Sequence, residues 1–386
     1  MKVNRLRILH VVEATTAGVR RYVTALAVGL RARGMDMAVA APWQRRENYG
    51  DTAFVGDLKQ HSVPFYPVPM QRRIGLWDAS AFLALCRLLQ GGCFTLVHTH
   101  SSKGGFLGRM AARRCHVPVA HTPNGLYFLE KTGIGRQFYL DLERLAGRLT
   151  IAMVAVSDGE KDVLVHNHIV APTRIRVIHN GVDIARIDQK VGLTNAEAKL
   201  RLGLHPDRRV VGAVGRLAPQ KDPLVFVQAA RLVTDDAPGT QFLWVGAGPL
   251  QAEVEDHASA EDVPLCLLGH REDVWEIMRA FDVFVLPSRY EGLPFTLLEA
   301  MALALPVVVT DVVGTRDVVD DQESGLVVPV DAPGVMANAI LSLLQDPQRA
   351  HGLALAGRQK VAAEFSLERM LDSHQALYEE LHARQL

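Results

Sequence analysis

Short apolar runs recur along the 386 residues, each ending in a small or polar loop and each followed by a stretch of helical spacing. The first is Arg7–Val12. Behind it come the small-residue loop 14–18 and then Val19, Tyr22, Val23, Leu26, Ala27 and Leu30 at helical spacing, with Gly34 as a stop. Runs this short and this apolar, separated by helices, suit strands buried on both faces and predict a parallel, doubly wound sheet. Residues 37–41, 94–98, 117–121, 151–156 and 174–178 continue the series. It restarts at Val210–Val214 and runs through 242–245, 265–268, Val283–Leu286, 306–310 and 325–328. Two α/β domains are therefore expected, 1–183 and 184–365, with a last helix in 366–386 long enough to pack back towards the first. Residues 42–75, with Pro64, Pro67 and Pro69 and the pairs Arg45–Arg46 and Arg72–Arg73, are expected to be extended pieces and partly mobile.

Composition removes several classes. The four cysteines, Cys86, Cys93, Cys115 and Cys266, show no metal-ligand spacing and read as reduced, buried thiols of a cytosolic protein. The apolar run after Arg7 is interrupted by His10 and is too short for a signal peptide. No apolar stretch reaches spanning length without a charge or a proline. Net charge is zero but uneven: residues 1–183 carry 24 Lys and Arg against 13 Asp and Glu, whereas 184–386 carry 18 against 29. A basic first half suits an anionic membrane surface or a phosphorylated acceptor, although scattered solvated arginines would give the same count. No nucleic acid partner is expected.

In doubly wound sheets, ligands bind beyond the carboxyl ends of the strands. The loop holding Gly18 lies there. It is not GxGxxG, so it reads either as a close approach for a ligand or as a plain tight turn. His98 and His100 alternate onto one face, but no third ligand stands near them in sequence, so no metal is expected. His100, at the strand end, is the better placed of the two to touch a ligand. His121 ends a strand and enters the turn 122–125, ahead of a loop, 125–135, that could serve as a lid. A lone histidine is usually structural, but the place of His121 at a strand's carboxyl end, ahead of a flexible loop, makes the chemical reading equally strong.

In the second half, the loop after Val214 carries Arg216 and Lys221 between Gly215 and Pro223. A planar fork and a mobile point charge together suit a diphosphate. The loop 269–274 could hold a base edge through Arg271. The stretch 288–300 is the most informative. Pro294 suits the first position of a helix, which would leave the amides of Phe295, Thr296 and Leu297 facing an anion. Glu291 and Glu299 flank that end, and carboxylates there favour hydroxyl partners. Phosphate donors between two hydroxyl-binding acids suggest a sugar nucleotide.

Taken in order, Ala17-Gly18, the run His98 to Lys103, His121-Thr122, Val156-Ser157, the run Asn180 to Asp183, Gly215-Arg216-Leu217 with Lys221, the run Val245 to Leu250, and Glu291 through Glu299 resemble the GT-B retaining glycosyltransferases of family 4 over nearly the whole chain. The resemblance implies two Rossmann-like domains facing across a cleft, and a nucleotide sugar bound without a metal or other cofactor. It assigns the diphosphate to Arg216 and Lys221, donor-sugar hydroxyls to Glu291 and the ribose to Glu299. It puts the amides of residues 295–297 near phosphate and sugar, and His121 beside the reaction centre. It departs from many relatives at Ala17, where they have glycine, and at Asp222, where glycine often follows the lysine. The expected protein moves a hexose or N-acetylhexosamine, UDP-linked, to a lipid-linked or saccharide acceptor in cell-surface polysaccharide assembly. It would do so at the inner face of the cytoplasmic membrane, with His100 and Lys103 as acceptor-side candidates. The alternatives are a transferase with a soluble acceptor and a non-catalytic nucleotide-sugar-binding subunit.

Overall fold

A computed structural model describes residues 6–43, 51–71 and 75–384; Arg45–Arg46 and Arg72–Arg73 lie outside the described residues. The chain divides into two compact units, Met1–His179 with Leu367–Leu386, and Asn180–Ser366. The divide falls at 179/180, a few residues before the expected 183/184. The reason is local: Val182 N–H donates to Phe365 O at 2.9 Å, within the second unit.

The first unit runs β1 (Arg7–Val12), α1 (Ala17–Ala32), β2 (Asp36–Ala41), α2 (Asp51–Gln60), β3 (Phe65–Pro67), α3 (Trp77–Gly91), β4 (Leu96–His100), α4 (Ser102–Arg114), β5 (Val119–Thr122), α5 (Gly133–Gly147), β6 (Ala152–Ala155), α6 (Asp158–His166) and β7 (Ile175–Val177). The second runs α7 (Ile184–Lys190), α8 (Asn195–Arg201), β8 (Val210–Val214), α9 (Pro223–Asp236), β9 (Gln241–Val245), α10 (Gln251–Ala260), β10 (Leu265–Leu267), α11 (Val274–Met278), β11 (Val283–Leu286), α12 (Phe295–Ala302), β12 (Val307–Thr310), β13 (Leu326–Val328), α13 (Pro333–Gln345) and α14 (Pro347–Glu364). The last helix, α15 (Leu367–Ala383), belongs to the first unit.

Each unit is built on a parallel sheet, in the order β3-β2-β1-β4-β5-β6-β7 and β10-β9-β8-β11-β12-β13. Strand order therefore reverses direction between β1 and β4 in the first unit and between β8 and β11 in the second. These are the two places where such a sheet opens a crevice at its carboxyl edge.

The segment 42–75 differs from expectation. It contains a helix, α2, and a strand, β3, registered on β2 through Val39 and Phe65. Phe54, Val55 and Leu58 are buried, and their spacing is that of one helix face. The flanking prolines and arginines obscured it. Of the cysteines expected to be buried, Cys86 is; Cys115 is half-buried, and Cys93 and Cys266 are exposed, Cys93 just after α3 and Cys266 on the edge strand β10.

Register decides what each face of the first sheet carries. His10 on β1 pairs with His98 on β4, and Thr99 pairs with His121 on β5. Alternation then sends His10, His98 and His100 to one face and Thr99 and His121 to the other. α1 and α15 meet the histidine face, where Tyr22 and His374 are hydrogen-bonded. α4 lies on the opposite face, with α3 and α5 packed against it. The apolar cores sit between sheet and helices, around Leu9, Val11, Val97 and Leu107 in the first unit and around Phe226, Phe242, Trp244 and Val283 in the second.

Candidate functional site

In the second unit the loops beyond β8 and β11 are tied together. Arg289 N–H donates to Gln220 O at 2.9 Å, and Gln220 Nε2 donates to Tyr290 O at 3.2 Å. Arg289 also pairs with Asp222, so the acid that departs from the family pattern turns towards this arginine. The Lys221 ammonium donates to the Glu291 carboxylate, which also accepts from Ser288 Oγ at 2.6 Å. Two residues assigned to different parts of a ligand are thus neighbours in one loop cluster. Arg216 is exposed and has no ion-pair partner among the described residues. Its loop rests on β9, where Trp244 Nε1 donates to Gly215 O at 2.8 Å.

α12 starts one residue later than expected. Pro294 is its N-cap, at φ −76° and ψ 120°, and Phe295 its first residue. Leu297 N–H turns back to Pro294 O at 3.2 Å, so of the three amides expected to face an anion this one is engaged. Phe295 and Thr296 N–H remain without a backbone acceptor among the described residues. Glu299 is 2% exposed, one turn inside. Two supports of this loop were not legible in sequence. Asn180 Nδ2 donates to Leu293 O at 2.7 Å, just ahead of Pro294. Gly314, at φ +78°, lets its backbone meet Gly292, where any Cβ would lie 2.0 Å from the carbonyl oxygen. Arg271, expected at a base edge, is exposed and forked onto Asp273 at 2.7 and 2.5 Å, which raises its pKa.

In the first unit, Gly18 is exposed in the first turn of α1, next to Ala17 at φ 54°. Relatives' glycine at position 17 has its reason there, because a Cβ is strained in left-handed backbone. Lys103 Nζ pairs with Asp78 of α3 at 2.6 Å. Arg109 is fully buried and pairs with an acidic partner, Glu143 of α5, at 2.8 Å.

His121 is fully buried against α4. A Cβ on Gly105 would lie 2.4 Å from its Cε1, so only glycine admits the ring. Its Nδ1 lies 2.9 Å from Thr99 Oγ1 and 3.1 Å from Thr99 O. The Thr99 hydroxyl can give its own proton to Ala120 O, at 3.3 Å. Both groups at Nδ1 are then acceptors, so Nδ1 carries the proton and Nε2 the lone pair. Burial, and then the Arg109 charge, hold the ring well below its ordinary pKa and keep it neutral. Nε2 is buried and has no partner among the described residues. The atom offered to a ligand is therefore an acceptor, suited to a hydroxyl and unsuited to a phosphate oxygen. Behind it, buried Glu160 accepts from Gly125 N–H at 3.1 Å and Val156 N–H at 2.8 Å, fixing the turn that follows His121. Ser157 caps α6, its side chain accepting from Glu160 N–H.

His100 lies elsewhere. It is fully buried on the opposite face, its Nε2 2.8 Å from His10 Nδ1. Sequence offered His98 and His100 no third ligand; the sheet supplies one, and nitrogen atoms of His10, His98 and His100 lie within 4.8 Å of one another. Hydrogen bonds already engage both nitrogens of His98: Nδ1 with Tyr378 at 2.5 Å and Nε2 with Thr122 at 2.8 Å.

Two family models match: one described as Glycosyltransferase Family 4 over residues 16–186, and one described as Glycosyl transferases group 1 over residues 208–346. The chain is 33% identical over 331 residues to the UDP-Gal:alpha-D-GlcNAc-diphosphoundecaprenol alpha-1,3-galactosyltransferase of Escherichia coli, covering 83% of this chain and 85% of that one. It is 31% identical over 313 residues to the alpha-maltose-1-phosphate synthase of Mycolicibacterium smegmatis, covering 75% and 80%. Among solved structures it is similar to Anabaena Alr3699/HepE in complex with UDP-glucose, with TM-score 0.82, 18% identity, and 97% and 100% of the two chains covered.

Proposed function

The chain belongs to the family 4 glycosyltransferases, and from that premise we propose that it transfers a hexose from a UDP-sugar to a lipid-linked saccharide with retention of anomeric configuration. It has the GT-B fold of two Rossmann-like domains and is an enzyme that moves sugar from a nucleotide sugar. The observation that carries the finer reading is the loop cluster at the β8/β11 reversal: Arg216, Lys221, two amides of α12 and two buried carboxylates within one knot of loops. The donor and acceptor named for the E. coli relative support the UDP-sugar and the lipid diphosphate, with galactose the first sugar to try. Assembly of a cell-surface polysaccharide, at the membrane face, is the setting this reading implies.

In the proposed reaction the bond from the anomeric carbon to the leaving phosphate oxygen breaks as the acceptor oxygen approaches the same face. The departing phosphate takes the acceptor's proton. Arg216, Lys221 and the amides of Phe295 and Thr296 stabilise the charge that develops on the diphosphate. Glu291 is assigned sugar hydroxyls, Glu299 the ribose, and His121 Nε2 a hydroxyl proton. Arg271 would reach a base only after leaving Asp273. No metal is assigned a step, since these cations and amides supply the positive charge; activity is expected to persist in EDTA.

A thermal-shift panel of nucleotide sugars tests the donor, with UDP-galactose expected to raise the melting temperature most. Arg216→Ala, Lys221→Ala and Glu291→Ala are each expected to lower kcat/KM about a hundredfold or more without unfolding the protein. Full turnover in all three would overturn the site. Transfer to a soluble saccharide acceptor but to no lipid-linked one would favour the soluble-acceptor alternative over the lipid-linked reading.

A further inference from the structure

Lys221 and Asp222 stand side by side on the loop beyond β8, and Arg289 and Glu291 stand close together on the loop beyond β11. Two ion pairs of opposite polarity join these loops. The Lys221 ammonium meets the Glu291 carboxylate. In the reverse sense, Arg289 Nε meets Asp222 Oδ2 at 2.8 Å. Asp222 precedes Pro223, the first residue of α9, and lies at φ 45° and ψ 58°. Aspartate adopts this left-handed backbone at less cost than most side chains.

The two partners differ in burial. Asp222 is 5% exposed, whereas the Arg289 side chain is 45% exposed. Burial pushes the Asp222 carboxyl above its ordinary pKa, and the Arg289 guanidinium works against that rise. A buried carboxylate next to a lysine that holds a diphosphate repels the donor unless its charge is cancelled. The Arg289 guanidinium is already shared between two acids, since Nη1 and Nη2 reach Asp331 at 3.3 and 2.6 Å. It is therefore placed to cancel charge rather than to bind a phosphate of its own. Backbone bonds fix it there without a ligand: Arg289 N–H donates to Gln220 O at 2.9 Å, and Gln220 Nε2 to Tyr290 O at 3.2 Å.

The Lys221–Glu291 pair is of another kind. Both members are assigned to the donor, the ammonium to its diphosphate and the carboxylate to a sugar hydroxyl, so this pair opens as the donor enters. The Asp222–Arg289 pair has no such duty and stays closed. We propose that Arg289 is a positioning residue of the donor site: it cancels the Asp222 carboxylate and keeps the two loops joined, so that Lys221 meets the diphosphate with no opposing charge beside it. The acid at position 222, where the family pattern often has glycine, is admissible in this chain because residue 289 is an arginine. The proposal rests on the assignment of the diphosphate to Lys221.

The test is titration calorimetry with UDP, together with steady-state transfer from UDP-galactose. Arg289→Gln is expected to raise the Kd for UDP and the KM for the donor about tenfold. Its kcat should stay within about twofold of wild type, because the uncancelled charge opposes binding and not the chemical step. A purely structural role would instead lower kcat through lost folded enzyme and leave Kd unchanged. Adding Asp222→Asn to Arg289→Gln removes the uncancelled charge and should return Kd and KM to within about threefold of wild type. Arg289→Lys keeps the charge and should cost less than Arg289→Gln. Wild-type Kd and KM in Arg289→Gln would overturn the proposal. So would a loss that Asp222→Asn does not restore, because the arginine would then touch the donor itself or serve the fold alone. If Arg289→Gln by itself does not fold, the double variant decides: near-wild-type Kd supports the cancellation, and a Kd about tenfold weaker overturns it. Wild-type Kd in Lys221→Ala would remove the diphosphate assignment, whereas an impaired Lys221→Ala beside an unaffected Arg289→Gln would remove the role of Arg289 alone.

Discussion

Thr99 sets the chemistry of His121. Its carbonyl and hydroxyl both face Nδ1, which leaves the lone pair on Nε2. Thr99→Val keeps the shape and removes one acceptor, so kcat is expected to fall up to about tenfold, the worth of one hydrogen bond. KM should change little, and Thr99→Ser should restore the rate. Steady-state kinetics decides: a valine variant with wild-type kcat would mean the carbonyl alone orients the ring. Position 17 offers a stability test of the same kind. Ala17 sits at φ 54°, which costs roughly 1–2 kcal/mol in left-handed backbone. Glycine there loses about 0.4–1 kcal/mol through the unfolded chain, so Ala17→Gly should raise the melting temperature slightly. The strand-end position of His121 was legible in sequence. Its tautomer was not, because Thr99 lies 22 residues away and meets it only through strand pairing.

At the scale of elements, a local residue makes some helix starts. Ser157 accepts from Glu160 N–H, and Thr194 with Glu197 forms a capping box on α8. Helices defined by burial alone were read less well, as α2 shows. α8 itself docks by charge. Lys199 is 3% exposed and donates to Asp282 at 2.8 and 3.1 Å, while Asp282 also accepts from Val210 N–H at 2.7 Å. Lys199→Met would leave that carboxylate half-buried and uncompensated. A loss of about 3 kcal/mol is expected in denaturant unfolding, and a loss under 1 kcal/mol would mean the pair is screened. Several strand ends differ from the sequence reading by one or two residues, as where 94–98 becomes Leu96–His100. Pairing partners, not the strand's own residues, decide where a ladder stops.

Across the molecule, the most telling structure is a chain of hydrogen bonds in the first unit. His374 Nδ1 donates to Met370 O at 2.8 Å, so its Nε2 accepts from Tyr22 at 2.8 Å. Tyr22 can then accept from Thr122, Thr122 from His98 Nε2, and His98 Nδ1 from Tyr378. Each proton is used once, and both histidines of this relay, His98 and His374, are neutral. Burial lowers the pKa of His374 to about 4 and of His10 to about 3, and holds His98, His100 and His121 well below the ordinary value. A histidine lowered on folding binds more protons unfolded, so its stability contribution is full above about pH 6.5 and falls as pH drops towards the folded pKa. For His374 alone the loss between pH 6.5 and about 4 is of order 3 kcal/mol. Glu160, raised to about 7 by burial, acts in the opposite sense, since its burial costs stability as pH rises from about 4.5 to 7. Five histidines outweigh one carboxyl, so the melting temperature should fall steeply on acidification from pH 6.5 to 4; a flat profile would contradict the neutral network. Ending the chain at Ser366 removes His374 and Tyr378, together with buried Leu371, Leu377 and Leu381. The truncated protein is expected to lose most of the first unit's stability, and calorimetry should show its transition lowered or absent.

Two arrays of buried parallel strands, the loops at their carboxyl ends, and the kind of ligand those loops suit can all be read from the residues in order. These follow from periodicity, turn residues and charge, which are properties of neighbours along the chain. Which distant groups meet is set by the packing of the folded chain. It brought His10 to His98 and His100, Lys221 to Glu291, Asn180 to the carbonyl ahead of α12, and the last helix back to the first sheet. A local pattern says which face a side chain takes. It does not say what lies on the other side of that face, and there a histidine becomes an acceptor for a hydroxyl or a link in a neutral, buried chain.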